Sequence, residues 1–376
     1  MAAGVAVRPV HGRGDLRKFI DLPYRLHARD PLWVPPLRRD VATLLDRRKN
    51  PFFEHAEAEY FLAERGGRVV GRIAAIHNRL HNETHEDRVG FFGFFEAEND
   101  QAVADALLDE ASRWVRARGL DVLRGPASFS VNDECALLVE GFDTPPTLMM
   151  PYNPPYYVEL IEGAGFATAK NMYCYEGTEP TGELAERLTR GIELIKKRFG
   201  VELRAIDMRD FAGEVERVKA IYNAAWEKNW GFVPMTEHEI DHLAEQFRPV
   251  VVPDLVPFIV KDGKPIAFAL AMPDLNVAFK RNPNGGFLRG LVTVLYMLKT
   301  RKIHRLRVLL LGILPEYRGK GLDAALYHWI WHHGLAHGIT WGEAGWILED
   351  NAAMNLGMEK IGWRRYKTYR LYDRVA

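Results

Sequence analysis

A short basic, glycine-rich segment carries the clearest chemical signal in this chain of 376 residues. Its glycines at 319 and 321 allow a tight turn with exposed backbone N–H groups. A helix that begins at this turn adds its unpaired N–H groups and its positive dipole end. We predict that the segment binds a pyrophosphate; a basic hinge between a strand and a helix is the alternative. Its residues are Arg318, Gly319, Lys320, Gly321, Leu322, Asp323 and Ala324.

A glutamate inside an apolar run is a candidate general base. Glu343 lies in Gly342-Glu-Ala-Gly-Trp-Ile-Leu348, which is predicted to form a strand beside the one that precedes the glycine-rich segment. A carboxylate in apolar surroundings loses hydration and becomes a stronger base. The alternative is a buried glutamate that pairs with a structural arginine. Glu349 at the strand end is a second catalytic candidate, and Asp350 is expected to cap the next helix.

Two polar segments of the first half are candidates for a substrate-binding surface. Phe129-Ser-Val-Asn-Asp-Glu134 places polar side chains ahead of an apolar run, and Pro151-Tyr-Asn-Pro-Pro-Tyr-Tyr157 adds hydroxyl groups and rigid turns. Two ordinary polar loops are the alternative. The residues that we predict to face a substrate are Asn132, Asp133, Glu134 and Tyr152.

Three histidines recur every four residues and could share one helix face: His77, His81 and His85. A metal site would need further ligands in the right geometry. A solvated helix face is therefore the better interpretation, and no metal is expected.

The elements that position these residues occur twice in the same order. A hairpin over 59–76, a strand over 89–95 and a helix over 102–118 are matched by a hairpin over 255–271, a strand over 307–313 and a helix over 321–334. This order predicts an α+β fold of two tandem domains, each a mixed, mostly antiparallel sheet flanked by helices. The predicted domains are 1–180 and 181–376, joined through a helix at 183–199.

Composition narrows the function classes. Lys plus Arg and Asp plus Glu both number 50, so no global charge favours nucleic acid. Two cysteines far apart, Cys135 and Cys174, argue against a disulfide framework and fit a reducing cytoplasm. The N-terminus lacks the pattern of a signal peptide, and no uncharged apolar run is long enough to cross a bilayer. We expect a cytoplasmic protein.

The glycine-rich segment resembles motif A of the GNAT acyltransferase superfamily, Arg/Gln-x-x-Gly-x-Gly/Ala preceded by Pro-x-Tyr. Arg318 and Gly321 occupy the first two places, and Asp323 departs from the third. The segment 351–363 resembles the superfamily's Asn-x-x-Ala, Tyr and Gly-Phe segment. Met358 stands where the superfamily often has a tyrosine as general acid. A thioether cannot donate a proton, so any acid must come from elsewhere.

The resemblance implies acyl-CoA as co-substrate and assigns roles to residues. The N–H of Ile313 would bond the thioester carbonyl as oxyanion donor. Residues 318–324 would cradle the pyrophosphate, and Asn351 would contact the pantetheine or adenosine arm. Acylation of an amine also needs a base, because an alkylammonium is no nucleophile at neutral pH. The first half has acidic Glu96–Asp100 where the phosphate loop should be, so we expect it to lack the coenzyme and to shape the acceptor pocket.

An apolar stretch with basic flanks lies in a predicted insert at 276–306. No acidic residue occurs between Asp274 and Glu316. A helix over 287–298 would be about 18 Å long, too short to span a bilayer. We predict contact with an anionic membrane surface through 287–307, or a roof over an acyl-chain channel. A buried helix with snorkelling basic ends is the alternative.

Blocks spread over nearly the whole chain resemble the tandem-GNAT proteins that include the bacterial ceramide synthases. This resemblance implies transfer of a long acyl chain from acyl-CoA to the amine of a sphingoid base, a lipid amine. Acylation of a small soluble amine or an aminoacyl group is one alternative, and a non-catalytic acyl-CoA-binding module is another. The blocks are Asn132–Glu134, Glu140–Asp143, Pro151–Tyr157, Pro315–Tyr317 and Trp346–Asn351.

Overall fold

The computed structural model describes residues 4–226 and 229–376. Within these residues the chain forms thirteen strands and twelve α-helices. The strands are β1 (Ala6–Pro9), β2 (Ala56–Arg65), β3 (Arg68–Asn78), β4 (Val89–Ala97), β5 (Val122–Gly125), β6 (Leu137–Glu140), β7 (Ala167–Gly177), β8 (Val201–Ala205), β9 (Pro257–Lys261), β10 (Lys264–Pro273), β11 (Arg305–Ile313), β12 (Trp341–Leu348) and β13 (Arg364–Val375). The helices are α1 (Gly12–Leu26), α2 (Arg38–Leu44), α3 (Arg79–His85), α4 (Gln101–Arg116), α5 (Tyr156–Gly163), α6 (Gly182–Phe199), α7 (Phe211–Trp226), α8 (Glu237–Phe247), α9 (Asn276–Phe279), α10 (Phe287–Lys299), α11 (Leu322–Ala336) and α12 (Ala352–Lys360).

The chain divides into two compact units. The first contains the residues up to Met172 together with Phe279–Gly290 and Lys367–Ala376, and the second contains Tyr173–Ala278 and Leu291–Tyr366. The units thus differ from the predicted halves, because two later segments group with the first unit. The last segment does so because β13 pairs with β5 and β6.

The first unit is a mixed sheet with strand order β1-β2-β3-β4-β5-β13. All neighbours are antiparallel except β4 and β5, which are parallel. The helix α4 connects this parallel pair, and one of its faces, with Val103, Leu107 and Val115, is fully buried in the core of the unit. Asp100 caps α4 by accepting a hydrogen bond from Ala102 N, which fits the start of the helix.

The second unit repeats this arrangement with strand order β12-β11-β10-β9-β8. Its parallel pair is β11 and β12, connected by α11, and its other pairs are antiparallel. One core lies between the sheet and α11, and a second core lies on the side of α7. The predicted α+β class and the repeated order of elements are therefore confirmed.

The predicted insert between β10 and β11 contains α9 and α10. The apolar run predicted at 287–298 forms α10. In the part of the chain that the structure describes, none of the helices combines the length and apolarity needed to cross a membrane.

Candidate functional site

The parallel strands β11 and β12 separate after their first residues. Their pairing ends where Val308 lies beside Ala344, although β11 continues to Ile313 and β12 to Leu348. On its other side β11 stays paired with β10 up to Ile313, with an irregularity in register opposite Leu270 and Ala271. Residues 309–313 of β11 therefore border a gap on the side of β12.

The backbone of Ile313 points into this gap. Leu314 N donates to Ile266 O at 3.0 Å, so Leu314 forms the hydrogen-bonded pair with β10. Because the backbone groups of an antiparallel strand alternate between its two sides, Ile313 and Leu311 direct their N–H and C=O groups away from β10. The N–H predicted as oxyanion donor is thus placed beside the opening.

The glycine-rich segment begins a few residues beyond the end of β11. Arg318 and Gly319 are exposed, and Gly319 and Gly321 have φ of 70° and 77°. A side chain rarely adopts these angles. Within residues 4–226 and 229–376, the N–H groups of residues 319–324 donate to no other backbone group, and the first such bond is Ala325 N to Gly321 O at 3.4 Å. The turn presents backbone donors to an exposed surface, as the spacing predicted.

The two cations of the segment lie along the turn. Arg318 Nη2 donates to Ala225 O at 2.5 Å, and its Nε donates to Ile313 O at 3.4 Å. Lys320 Nζ donates to Glu316 O at 2.7 Å. These contacts hold the turn against the end of β11 and add positive charge where the backbone donors are exposed.

The last four residues of the glycine-rich segment, 321–324, form the start of α11. Gly321 is the N-cap, and Asp323 lies in the first turn without capping the helix. Leu322 is buried in the core beside α6, whereas Ala324 is partly exposed. Asp323 stabilises the helix dipole, and its carboxylate opposes an anion at the same helix end.

Glu343 is fully buried in β12 and contacts Arg307 and Tyr366. Its Oε1 lies 3.4 Å from Nε of Arg307, which is buried on β11 at the same register position. Its Oε2 accepts a hydrogen bond from the half-buried Tyr366 hydroxyl. Since Ala344 packs into the core beside α11, the alternating Glu343 points to the opposite face of the sheet. A buried glutamate paired with an arginine is also what a purely structural role would give. The role of Glu343 as a base therefore stays a prediction.

Tyr366 was not predicted as a site residue. It lies 23 positions after Glu343 in the chain, and only the fold brings the two together. Its ring also contacts Trp341 edge to face, with centroids 6.0 Å apart. Its local sequence signal is an aromatic residue near the start of β13.

The end of β12 differs from the prediction in its helix cap. Asn351, and not Asp350, is the N-cap of α12, because its Oδ1 accepts from Met354 N at 3.2 Å. The prediction for Asp350 was wrong: both residue types cap helices well, and the helix begins one residue later than that choice required. Asn355 was also missed; its Nδ2 donates to Leu348 O at 3.0 Å and to Glu349 O at 3.3 Å. This amide holds the strand end where Glu349, half-buried, is placed.

The polar residues predicted to face a substrate lie at two places in the first unit. Asn132, Asp133 and Glu134 share one loop, in which Ser130 Oγ donates to Asp133 Oδ2 at 3.0 Å. Tyr152 donates its hydroxyl hydrogen bond to Asp30 instead. The structure brings three of the four together, and their contact with a substrate stays a prediction.

In the first unit, the position that corresponds to this gap is covered by the unit's own backbone. Beyond the paired ends of β4 and β5, Ala127 N donates to Phe92 O at 2.7 Å. A Cβ on Gly93 would lie 2.0 Å from Ala127 O, so only glycine fits under this crossing backbone. The groups of β4 that correspond to the open end of β11 are thus covered by the chain itself.

The acidic turn before α4 is held by partners of the same unit. Glu96 Oε2 lies 2.8 Å from His27 Nε2 and accepts from the Tyr157 hydroxyl at 2.7 Å. Burial opposes ionisation of Glu96, but His27 and Arg72 outweigh it and lower its pKa. Asp100 is used as the cap of α4. Acidic side chains that are already paired with arginines, such as Asp100 with Arg65 at 2.5 Å, thus occupy this helix start in place of a basic turn.

Comparison with known proteins decides the family. The chain is 37% identical over 382 residues to the bacterial ceramide synthase of Caulobacter vibrioides (strain NA1000 / CB15N), covering 99% of this chain and 98% of that protein. The chain belongs to the bacterial ceramide synthase family. It is accordingly an acyltransferase.

Two further comparisons give a second full-length relative and a solved structure with the same fold. The chain is 33% identical to Protein YghO of Escherichia coli (strain K12), over 98% of this chain and 95% of that one. A solved tandem GNAT protein from the clavulanic acid biosynthesis pathway superposes with a TM-score of 0.56 at 13% identity, over 99% of this chain and 98% of that one. The predicted tandem GNAT fold is confirmed. No protein-family model matches the chain.

Two of the three histidines contradict their predicted setting. His77 lies on the strand β3, so the three do not share one helix face. His81 lies on α3 but is only 1% exposed, so the expectation of a solvated face was wrong for it. Its ring packs against His85 and Phe91, with centroids 4.6 Å and 4.8 Å away. Burial lowers the pKa of His81 to about 3. No group of three or more potential metal ligands occurs among the described residues.

Proposed function

We propose that this acyltransferase transfers a long acyl chain from acyl-CoA to the amine of a lipid, a sphingoid base, and thereby forms an amide. The observation that supports it most is the open end of β11 beside an exposed glycine turn. The full-length similarity to a protein named for ceramide synthesis supports the choice of acceptor.

The coenzyme half of the substrate would occupy the second unit. Residues 318–324 cradle the pyrophosphate, because among the described residues the N–H groups of 319–324 donate to no other backbone group and Arg318 and Lys320 add charge. The N–H of Ile313 bonds the thioester carbonyl and stabilises the negative charge that develops on its oxygen. Asn351 contacts the pantetheine or adenosine arm through its Nδ2, since its Oδ1 caps α12.

The chemical step joins the amine nitrogen to the thioester carbon and breaks the carbon–sulfur bond. The nitrogen loses a proton, and coenzyme A leaves as the thiolate. Glu343, or a water that it orients, accepts the proton, and Glu349 is the second acidic candidate. Met358, buried in α12, has no proton to donate to the leaving thiolate.

The acceptor would be held by the first half of the chain. Residues 1–180 form a degenerate domain that carries no coenzyme and binds the acceptor, with Asn132, Asp133, Glu134 and Tyr152 as contacts. The closed gap at Gly93 and the acidic helix start support the loss of coenzyme from this half. Residues 181–376 form the domain that binds acyl-CoA. The cytoplasm, at the inner face of the membrane, is the proposed location, since the sequence holds two cysteines that lie far apart, Cys135 and Cys174, both of them buried.

The test is a matrix of acyl-CoA chain lengths against amines, with the amide product detected by mass spectrometry. Long-chain acyl-CoA with a sphingoid base should give the fastest turnover. Faster acylation of a small soluble amine or an aminoacyl group would replace the lipid acceptor. Coenzyme A binding in calorimetry without turnover of any pair would identify a binding module and refute the enzyme.

A further inference from the structure

The helix α10 has one buried face and one exposed apolar face. Gly290, Val294 and Met297 are buried. The opposite side exposes a stripe with helical spacing that consists of Leu288 (75% exposed), Val292 (66%), Leu295 (45%) and Tyr296 (51%). These four residues are the α10 stripe. Most large exposed apolar side chains among the described residues belong to it, and such a cluster marks an interaction surface.

Exposed basic residues accompany the stripe. Lys302 donates to the Tyr296 hydroxyl at 2.7 Å and lies over its ring. The residues 275–315 contain no aspartate or glutamate. The surface therefore combines apolar side chains with basic residues, and this segment contributes no acidic residue to it. Its exposed basic residues are Arg281, Arg289, Lys299, Arg301 and Lys302.

The combination of apolar and basic side chains indicates which partner binds the α10 stripe. A second copy of the chain would place these like charges against one another, which is unfavourable. An anionic bilayer attracts each surface lysine or arginine and takes up leucine, valine and tyrosine at the boundary of headgroups and acyl chains. At about 20 Å, a helix of this length lies in that plane and does not cross it.

We propose that the α10 stripe inserts into the interface of an anionic membrane and that the surrounding basic residues bind its lipid headgroups. The biological purpose rests on the proposed function, because a lipid amine is delivered from a membrane. The surface itself is tested without any enzymatic step.

The apolar part is tested by co-sedimentation with vesicles of phosphatidylcholine and phosphatidylglycerol. The wild type should sediment with them, and Val292→Ser/Leu295→Ser should lower the partition constant about tenfold or more. The matched control is Leu194→Ser/Leu356→Ser, because those leucines are 68% and 50% exposed elsewhere. The control should bind like the wild type. Since all four side chains are exposed, thermal melting should show every variant folded.

The charged part is tested with Arg301→Gln/Lys302→Gln. This variant should bind several-fold more weakly to the anionic vesicles, and the wild type should bind far less to pure phosphatidylcholine or at high salt. Lys197→Gln/Arg198→Gln on α6 removes two exposed charges elsewhere and should change little.

Three results would overturn the proposal. The wild type could stay in the supernatant with anionic vesicles, or the α10 and control variants could bind equally. Light scattering could also show a dimer that Val292→Ser/Leu295→Ser dissociates, which would make the stripe an interface between copies. Activity on detergent-dispersed substrates separates the two proposals: turnover without vesicle binding refutes the membrane surface alone, and vesicle binding without turnover refutes the proposed reaction alone.

Discussion

Two charged side chains are buried together at the same register position of β11 and β12. Arg307 also donates from Nη2 to Gly345 O at 2.9 Å, at the point where the strands separate. A buried ion pair contributes little net stability, but removal of one partner leaves an uncompensated charge. Glu343 thus has a structural task whatever its part in catalysis. Its base role must be separated from that task by comparison with another buried glutamate.

We predict that Glu343→Gln lowers kcat by about 100-fold or more, because the amine then lacks its proton acceptor. Glu214→Gln is the control, since Glu214 is 2% exposed and lies 2.9 Å from Arg204. Both variants should lower the free energy of unfolding, measured by urea titration, and only Glu343→Gln should lose turnover in the acyl-CoA assay. Full activity of Glu343→Gln would remove this residue from the base role.

The buried His81 predicts a dependence of stability on pH. Its folded pKa of about 3 lies below the value of about 6.5 in an unfolded chain. The unfolded state therefore binds the proton first, and stability falls as the pH drops below 6.5 towards 3. At pH 5 this group should cost about 2 kcal/mol relative to pH 7.5.

Urea titrations at both pH values measure this effect. His81→Gln should lose about that much less stability on acidification than the wild type, whereas His11→Gln at an exposed position should match the wild type. An equal loss in His81→Gln would show that other groups cause the acid sensitivity.

At the scale of elements, most helices and strands could be predicted from the periodicity of apolar residues and the positions of glycines. The helix after Gly321 and the strands around Glu343 and Ile313 follow from local patterns that the sequence displays. The separation of β11 from β12 after Val308 was not predictable, because it depends on where pairing between distant segments ends. The crossing of Ala127 over Gly93 is equally non-local.

In the candidate site too, local features could be predicted and contacts between distant segments could not. The exposed turn at Gly319 is a local feature and was predicted. The hydrogen bond between Tyr366 and Glu343 joins residues of two strands, so no spacing rule indicates it. The cap of α12 was misplaced by one residue because Asp350 and Asn351 have similar capping preferences.

The exposed glycine turn leads to a prediction about coenzyme binding. Gly319→Ala adds a methyl group at a φ of 70°, where the structure has open space around it. We expect about 1 kcal/mol of strain and a coenzyme A affinity reduced about tenfold or more, because the turn no longer presents its donors in place.

Gly263→Ala is the matched control. Its φ is 75°, and it also has open space, but it lies in the hairpin between β9 and β10. It should lose similar stability and keep the coenzyme affinity measured by calorimetry. Equal coenzyme affinity in Gly319→Ala and the wild type would place the pyrophosphate elsewhere.

At the scale of the whole molecule, two units of the same strand order differ in one feature. The second unit leaves the end of β11 open, and the first covers the corresponding part of β4 with its own backbone. Coenzyme A should therefore protect one unit and not the other.

We predict slower hydrogen exchange at residues 309–314 and 319–325 when coenzyme A is present at about 100 times its Kd, where binding stabilises the native state by about 2.7 kcal/mol. Residues 89–104 of the first unit are the internal control and should exchange at an unchanged rate. Mass spectrometry of peptides measures both regions in one sample. Protection of 89–104 with none at 319–325 would show that the coenzyme binds the first unit, and our proposal would be wrong.

The open end of β11 has a consequence for handling the purified protein. Its amide groups at Leu311 and Ile313 face away from β10 where β12 no longer pairs with β11, so they form a short open edge inside a sheet, and such edges accept strands from other molecules. A coenzyme lying along them would act as a temporary substitute strand. Preparations stripped of coenzyme should then self-associate on storage, and added coenzyme A should keep them dispersed.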